Sequence, residues 1–177
     1  NGIDFSPVVR YSEEKSISTE RTFETDTIDV QMLERLLIAM VEKIAFKMRK
    51  KQKLASVVTV KIRYSNFDTH TLQKQIAYTS FDHVLMDTAL DLFRRLYERR
   101  MLIRLSGVKR GGLIGGVQQL DLFDNNEKMI KLYLSMDKIR LRYGSDSIHR
   151  ASGVEKKEKV ANRSIQLQTA RFKDVKI

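Results

Sequence analysis

Two periods of apolar residues alternate along this chain, and the switches between them outline its elements. Across residues 15–23 the period is two. Ile17, Thr19, Arg21 and Phe23 share one side and Ser16, Ser18, Glu20 and Thr22 the other, which predicts a half-buried strand. From Asp29, a residue type suited to an N-cap, apolar positions fall three and four apart at Val30, Leu33, Leu37, Met40, Val41, Ile44 and Met48, predicting a helix with one core-facing stripe. Residues 56–67 return to period two, with Val58, Val60, Ile62 and Tyr64 set against Thr59, Lys61, Arg63 and Ser65. After the turn residues Asn66-Phe67-Asp68, a run over 69–79 puts Leu72, Ile76 and Tyr78 opposite Thr71, Gln73 and Gln75, consistent with an antiparallel hairpin. Ser80 or Asp82 offers a cap for a second helix carrying Leu85, Ala89, Leu92, Phe93 and Leu96, and a fourth strand covers 101–109.

Strand, helix, strand, strand, helix, strand is the βαββαβ order of the ferredoxin-like α+β fold, a four-stranded antiparallel sheet with both helices on one face. The other face is left open. The alternation places Ser18, Lys61, Arg63, Thr71, Gln73 and Arg104 on it, all polar and three of them cationic, as a docking platform requires. Past the sheet, residues 109–116 hold four of the eight glycines and read as a flexible connection. A third helix then runs from a cap at Asp124 or Asn126 through Met129, Leu132, Tyr133, Met136, Ile139 and Tyr143 to Gly144, forming a C-terminal helical extension. The expected organisation is a lead-in over 1–13, a folded domain over 14–110, a linker over 111–124, the helical extension over 125–151 and a charged tail over 152–177.

Charge changes the picture more than composition does. Lys+Arg 33 against Asp+Glu 22 give a net charge of +11, which favours a polyanionic partner, nucleic acid above all. The basic run Lys47, Arg49, Lys50, Lys51 and Lys53 has a simpler account, since cations at a helix C-terminus are favoured by the partial negative charge there. With Cys 0, disulfides, thiolate metal sites and cysteine nucleophiles are excluded together, and a reducing, cytoplasmic setting is expected. No apolar run reaches the roughly 20 residues of a membrane span, so no membrane partner is expected. The opening Asn1-Gly2-Ile3-Asp4 resembles neither a signal peptide nor a natural start, and we expect a piece of a longer protein.

Catalytic signals are missing from the residues. His70, His83 and His149 are scattered with no second ligand at metal spacing, so no metal site is expected. The helical carboxylates alternate with basic residues as solvated faces do, and neither a nucleophile elbow nor a phosphate loop is visible. These absences argue for a binding module over an enzyme. The pentapeptide Gln119-Leu120-Asp121-Leu122-Phe123, set beside the glycines, carries an amide and three bulky apolar side chains. Either a partner covers them, at roughly 1.5–3 kcal/mol for each apolar group buried, or they pack under the third helix as its lead-in.

Several dispersed segments resemble one family. Gly2-Ile-Asp-Phe-Ser-Pro-Val8, Lys15-Ser-Ile-Ser-Thr-Glu-Arg-Thr-Phe23, Thr59-Val-Lys-Ile-Arg-Tyr-Ser-Asn-Phe67 and Arg104-Leu-Ser-Gly-Val108 are similar, in order, to the thumb-to-little-finger linker and little-finger domain of bacterial Y-family translesion DNA polymerases. Gln119 to Phe123 resembles the family's sliding-clamp peptide, and Met136 to Gly144 with Ile148-His-Arg-Ala151 its short helical tail. The resemblance implies that the domain holds primer–template DNA through phosphate contacts that carry no sequence information. By motif, the contacts fall to Ser16, Ser18, Lys61, Arg63, Thr71, Gln73, Arg104 and Lys109, and clamp binding to Gln119, Leu120, Asp121, Leu122 and Phe123. It also implies a parent DNA polymerase whose palm, fingers and thumb lie outside this chain and whose palm carboxylates bind Mg²⁺. Within the chain itself no cofactor is expected. A competing reading is an RNA-binding module of the same strand order, which should present stacking aromatics on the open face. A small ferredoxin-like hydrolase shares the order too, without a catalytic constellation to support it.

Overall fold

The computed structural model describes residues 14–97, 101–117 and 126–153. Its elements are β1 (Ser16–Thr27), α1 (Val30–Lys50), β2 (Lys53–Tyr64), β3 (Thr69–Thr79), α2 (Asp82–Leu96), β4 (Ile103–Gly111), β5 (Ile114–Gly115) and α3 (Glu127–Tyr143), followed by a 3-10 turn, Ala151–Gly153. The strands pair antiparallel in the order β1-β4-β2-β3, so β4 enters between β1 and β2 and the expected split βαββαβ sheet is formed. The lead-in 1–13, the pentapeptide 119–123 and the tail beyond 153 lie outside the described residues.

Local chemistry accounts for the element ends. Asp29 caps α1 by accepting a hydrogen bond from the Met32 amide at 3.0 Å. Leu33, Leu37, Val41, Ile44 and Met48 of α1 and Leu85, Ala89, Leu92 and Phe93 of α2 are buried against Val58, Val60, Ile62, Tyr64, Ile103 and Val108. This is the core, and it lies on one side of the sheet. In the β2–β3 turn Phe67 adopts φ 67, while the Asp68 amide donates to Asn66 Oδ1 at 3.1 Å and the Tyr64 amide to the Asp68 carbonyl at 3.0 Å.

Three features depart from the sequence reading. The segment expected to be a flexible connection starts as sheet: Lys53 and Leu54 pair with Gly115 and Ile114, and the Gly116 amide donates to the Gln52 carbonyl at 2.9 Å. Gly112 makes that return possible, with φ 59 and a position where a Cβ would collide with Ser56 Oγ. Second, neither Ser80 nor Asp82 caps α2; Phe81 holds the N-cap position, and Asp82 is the first helical residue, fully buried against Arg49. Third, α3 seats through only part of its expected stripe, with Tyr133 buried and Met129 and Met136 half-buried, and charged residues complete the docked face. Leu132, Ile139 and Tyr143 are exposed, and the buried residues are Tyr133, Asp137 and Arg140. The reason is a set of charges waiting on α1 and α2.

Candidate nucleic-acid interface

Residues directly paired across a sheet share a face, and the register therefore defines the uncovered surface position by position. Four rows cross it from β1 through β4 and β2 to β3: Ser16, Gly111, Val57, Gln75; Ser18, Lys109, Thr59, Gln73; Glu20, Gly107, Lys61, Thr71; and Thr22, Leu105, Arg63, Thr69. Seven of the eight residues expected to bind DNA fall in this grid. Arg104 does not. The pairing of β4 with both neighbours shifts at that point, and Leu105 takes the open-face place beside Arg63. The Arg104 guanidinium lies instead over the Phe67 ring at 4.8 Å from its centroid, with Asp26 at 3.7 Å, at the rim beside the β2–β3 turn. Within β4 the open-face places are 105, 107, 109 and 111, so Arg104 has the opposite parity to Lys109, and the irregularity beside it leaves it at the rim.

The grid carries Lys61, Arg63 and Lys109 as cations, Glu20 as its one anion, and no aromatic ring. Arg63 Nε donates to Thr69 Oγ1 at 2.8 Å, which aims the guanidinium along the face. Among the described residues Lys109 has no ion-pair partner and is exposed. Hydroxyl and amide side chains of Ser16, Ser18, Thr59, Thr71 and Gln73 surround the cations. Such a surface can accept phosphate oxygens by charge and by neutral hydrogen bonds, and its grid holds no ring to stack on bases.

Behind the sheet lies a second polar assembly that sequence reasoning missed. Arg49 Nε and Nη2 donate to Asp137 at 2.6 and 2.9 Å, and its Nη1 donates to the Ser80 carbonyl at 2.9 Å and to Asp82. Burial pushes the Asp82 carboxyl above its ordinary value, with Arg49 pulling the other way. Glu42 is likewise raised by burial, against the pull of Arg140, and accepts from the Arg150 amide at 3.2 Å. The Tyr133 hydroxyl accepts from Arg150 Nη2 at 2.9 Å and from the His83 amide at 3.2 Å, and sits 2.8 Å from His83 Nδ1. Among the described residues no three His, Asp or Glu side chains converge as metal ligands, and these three carboxylates face guanidinium groups instead. The cluster fastens α3 and the turn after it to the helices.

Arg110 is the costly member of this side. It points into the core in register with Val58 and Ile17. It is fully buried, and only its Nη2 finds an acceptor, the Leu85 carbonyl at 3.1 Å, while Nε and Nη1 have no hydrogen-bond partner. Burial pulls its pKa down to about 9, partly opposed by Asp82. Arg110→Met is expected to stabilise the fold by about 1–3 kcal/mol, because a buried charge short of partners is replaced by an apolar side chain of similar length. The sign follows from linkage: above pH ~9 the folded state gives up the Arg110 proton while the unfolded chain keeps it, so the wild type regains stability there and the two proteins converge. Thermal melts near neutral pH and near pH ~10 check this. A lower melting temperature for the variant at neutral pH would mean that Arg110 balances Asp82 and is no net burden.

The family model for the impB/mucB/samB family C-terminal domain matches residues 14–122. A curated DNA polymerase IV from Dehalococcoides mccartyi is 41% identical over 149 residues, covering 83% of this chain and 38% of that protein. One from Clostridium acetobutylicum is 33% identical over 168 residues, covering 90% of this chain and 41% of that protein. The chain thus spans about two fifths of the length of these relatives. Among solved structures, a Y-family DNA polymerase chimera is similar in fold, with a TM-score of 0.53 at 22% identity, over 63% of this chain and 32% of that one.

Proposed function

The chain belongs to the impB/mucB/samB family through its C-terminal domain, and from that premise we propose that it is the DNA- and clamp-holding part of a bacterial Y-family translesion DNA polymerase. In this reading the open sheet face grips the phosphate backbone of primer–template during lesion bypass and repair, and Gln119 to Phe123 tether the enzyme to a sliding clamp. Nucleotidyl transfer and its Mg²⁺ belong to the palm, with fingers and thumb, in the rest of the protein. The observation that carries the DNA reading is the grid itself: three cations and a field of hydroxyls and amides on one face, with no aromatic ring. That composition suits backbone contact, which a lesion-tolerant enzyme needs, and disfavours an RNA-binding module that stacks bases.

The protein should bind duplex DNA weakly and without sequence preference, with log K falling against log[salt] by about 0.9 for each phosphate neutralised. Lys61→Ala with Arg63→Ala should flatten that slope by roughly two units of phosphate and leave the melting temperature unchanged, since both side chains face solvent. Fluorescence anisotropy across a salt series measures it. An unchanged slope in the double variant would remove the face from the interface.

A further inference from the structure

We propose that Glu20 competes with DNA phosphate for Lys61 across a gap in β4 that Gly107 keeps open, and so sets how loosely this face holds its partner. The inference rests on the phosphate-binding reading above and adds a residue that weakens the interface it belongs to. Glu20 and Lys61 stand in one row but on strands that do not touch, because β4 runs between β1 and β2. Two strand spacings separate their backbones by roughly 9.5 Å. Yet Lys61 Nζ lies 3.0 and 3.1 Å from the two Glu20 carboxylate oxygens.

The middle residue of that row makes the reach possible. A Cβ on Gly107 would sit 2.6 Å from Glu20 Cγ and 3.2 Å from Glu20 Cβ, so any side chain there would displace the glutamate from its path. The rows on either side carry Lys109 and Leu105 at the same strand position, and Gly111, the other glycine of β4 on this face, has the uncharged Ser16 and Val57 beside it. The open lane therefore occurs where an acid and a base flank it.

The consequence is electrostatic. Before DNA arrives, Glu20 cancels one of the three cations of the face, and Arg63 and Lys109 supply its net positive charge. For Lys61 to meet a phosphate it must give up Glu20, whose carboxylate then remains beside the DNA and repels it. Both side chains are partly exposed, so the competition is mild, of the size of a surface ion pair. Removing the acid should tighten binding by about two- to fivefold at low salt and steepen the salt dependence by about one phosphate.

The test is a double-mutant cycle on this chain with a labelled primer–template duplex, read by fluorescence anisotropy over a salt series. The proteins are the wild type, Glu20→Gln, Lys61→Ala and the double variant. The proposal expects Glu20→Gln to tighten binding and the gain to vanish in the Lys61→Ala background. Equal tightening in both backgrounds would overturn it, since Glu20 would then act as a general negative charge. So would no change in Glu20→Gln where Lys61→Ala weakens binding, an outcome that leaves the DNA-binding face standing. If neither single variant alters affinity or slope, the face reading and the competition fall together.

Discussion

Arg49→Met is expected to destabilise the protein by about 3–5 kcal/mol at neutral pH. Methionine fills part of the space but leaves two carboxylates without their shared cation. Asp82 is fully buried and Asp137 nearly so, and Arg49 is bonded to both while also holding the Ser80 carbonyl. Its guanidinium further lies over the Tyr133 ring, 4.9 Å from the centroid, so α1, the start of α2 and α3 all lose a common anchor. At about 2–4 °C per kcal/mol, the melting temperature should fall by roughly 6–20 °C. The loss should shrink in acid. Burial already raises the Asp82 pKa against the pull of Arg49, and without that pull it rises further. Between the unfolded carboxylate value and this raised one the folded variant binds more protons than the unfolded chain, so its stability increases as pH falls through the window. Melts of wild type and variant over a pH series check both parts. A penalty that stays constant into acid would show that lost packing, and not the unpaired Asp82, accounts for the effect.

Leu122→Ala with Phe123→Ala is expected to abolish binding to a bacterial sliding clamp, at roughly 2 kcal/mol or more for each side chain, together about a thousandfold. A five-residue segment buries little surface, so the intrinsic affinity should be modest, about micromolar, and concentrated in its two apolar anchors. Under the proposed function a modest grip would let the parent polymerase exchange on a shared clamp, while simultaneous contacts to DNA and clamp would raise the effective concentration and keep it at the primer end. If the leucine and phenylalanine instead pack under α3, the same double variant should retain clamp binding and melt several degrees lower. Calorimetric titration against the clamp together with a thermal melt separates the two. Retained binding with a lowered melt would sink the clamp peptide.

Alternation is a local property, and it carried much of the open face. Because successive side chains of a strand point to opposite sides, Lys61 and Arg63 could be set opposite Val60 and Ile62 from the one run, and Thr71 and Gln73 from the next. It failed at Arg104 for an equally physical reason. Arg104 and Lys109 stand at opposite parity, so alternation cannot put both on the face, and which parity of β4 faces outward is settled by its pairing with both neighbours, which no single run of residues records. The third helix was legible in part. Of its expected stripe Met129, Tyr133 and Met136 are covered while Leu132, Ile139 and Tyr143 are exposed, because Asp137 and Arg140 take part of the docking surface, beside the buried Glu42 and Asp82, which need cations and donors close by.

By itself, then, the sequence determined the strand and helix order, the cap at Asp29, the apolar stripes of α1 and α2 and the polar character of the uncovered face, all of which follow from periods of two and 3.6 within short windows. The tertiary structure decided which distant charges meet. Arg49 and Asp137 are 88 residues apart, and a basic run that reads as cations favoured at a helix C-terminus holds the buried hub of the fold. Lys61 and Glu20 are 41 residues apart and pair only because β4 inserts between their strands with a glycine at the crossing. Pairing over such separations is set by topology and burial, because the desolvation that makes a charge need its partner exists only once the chain has folded around it.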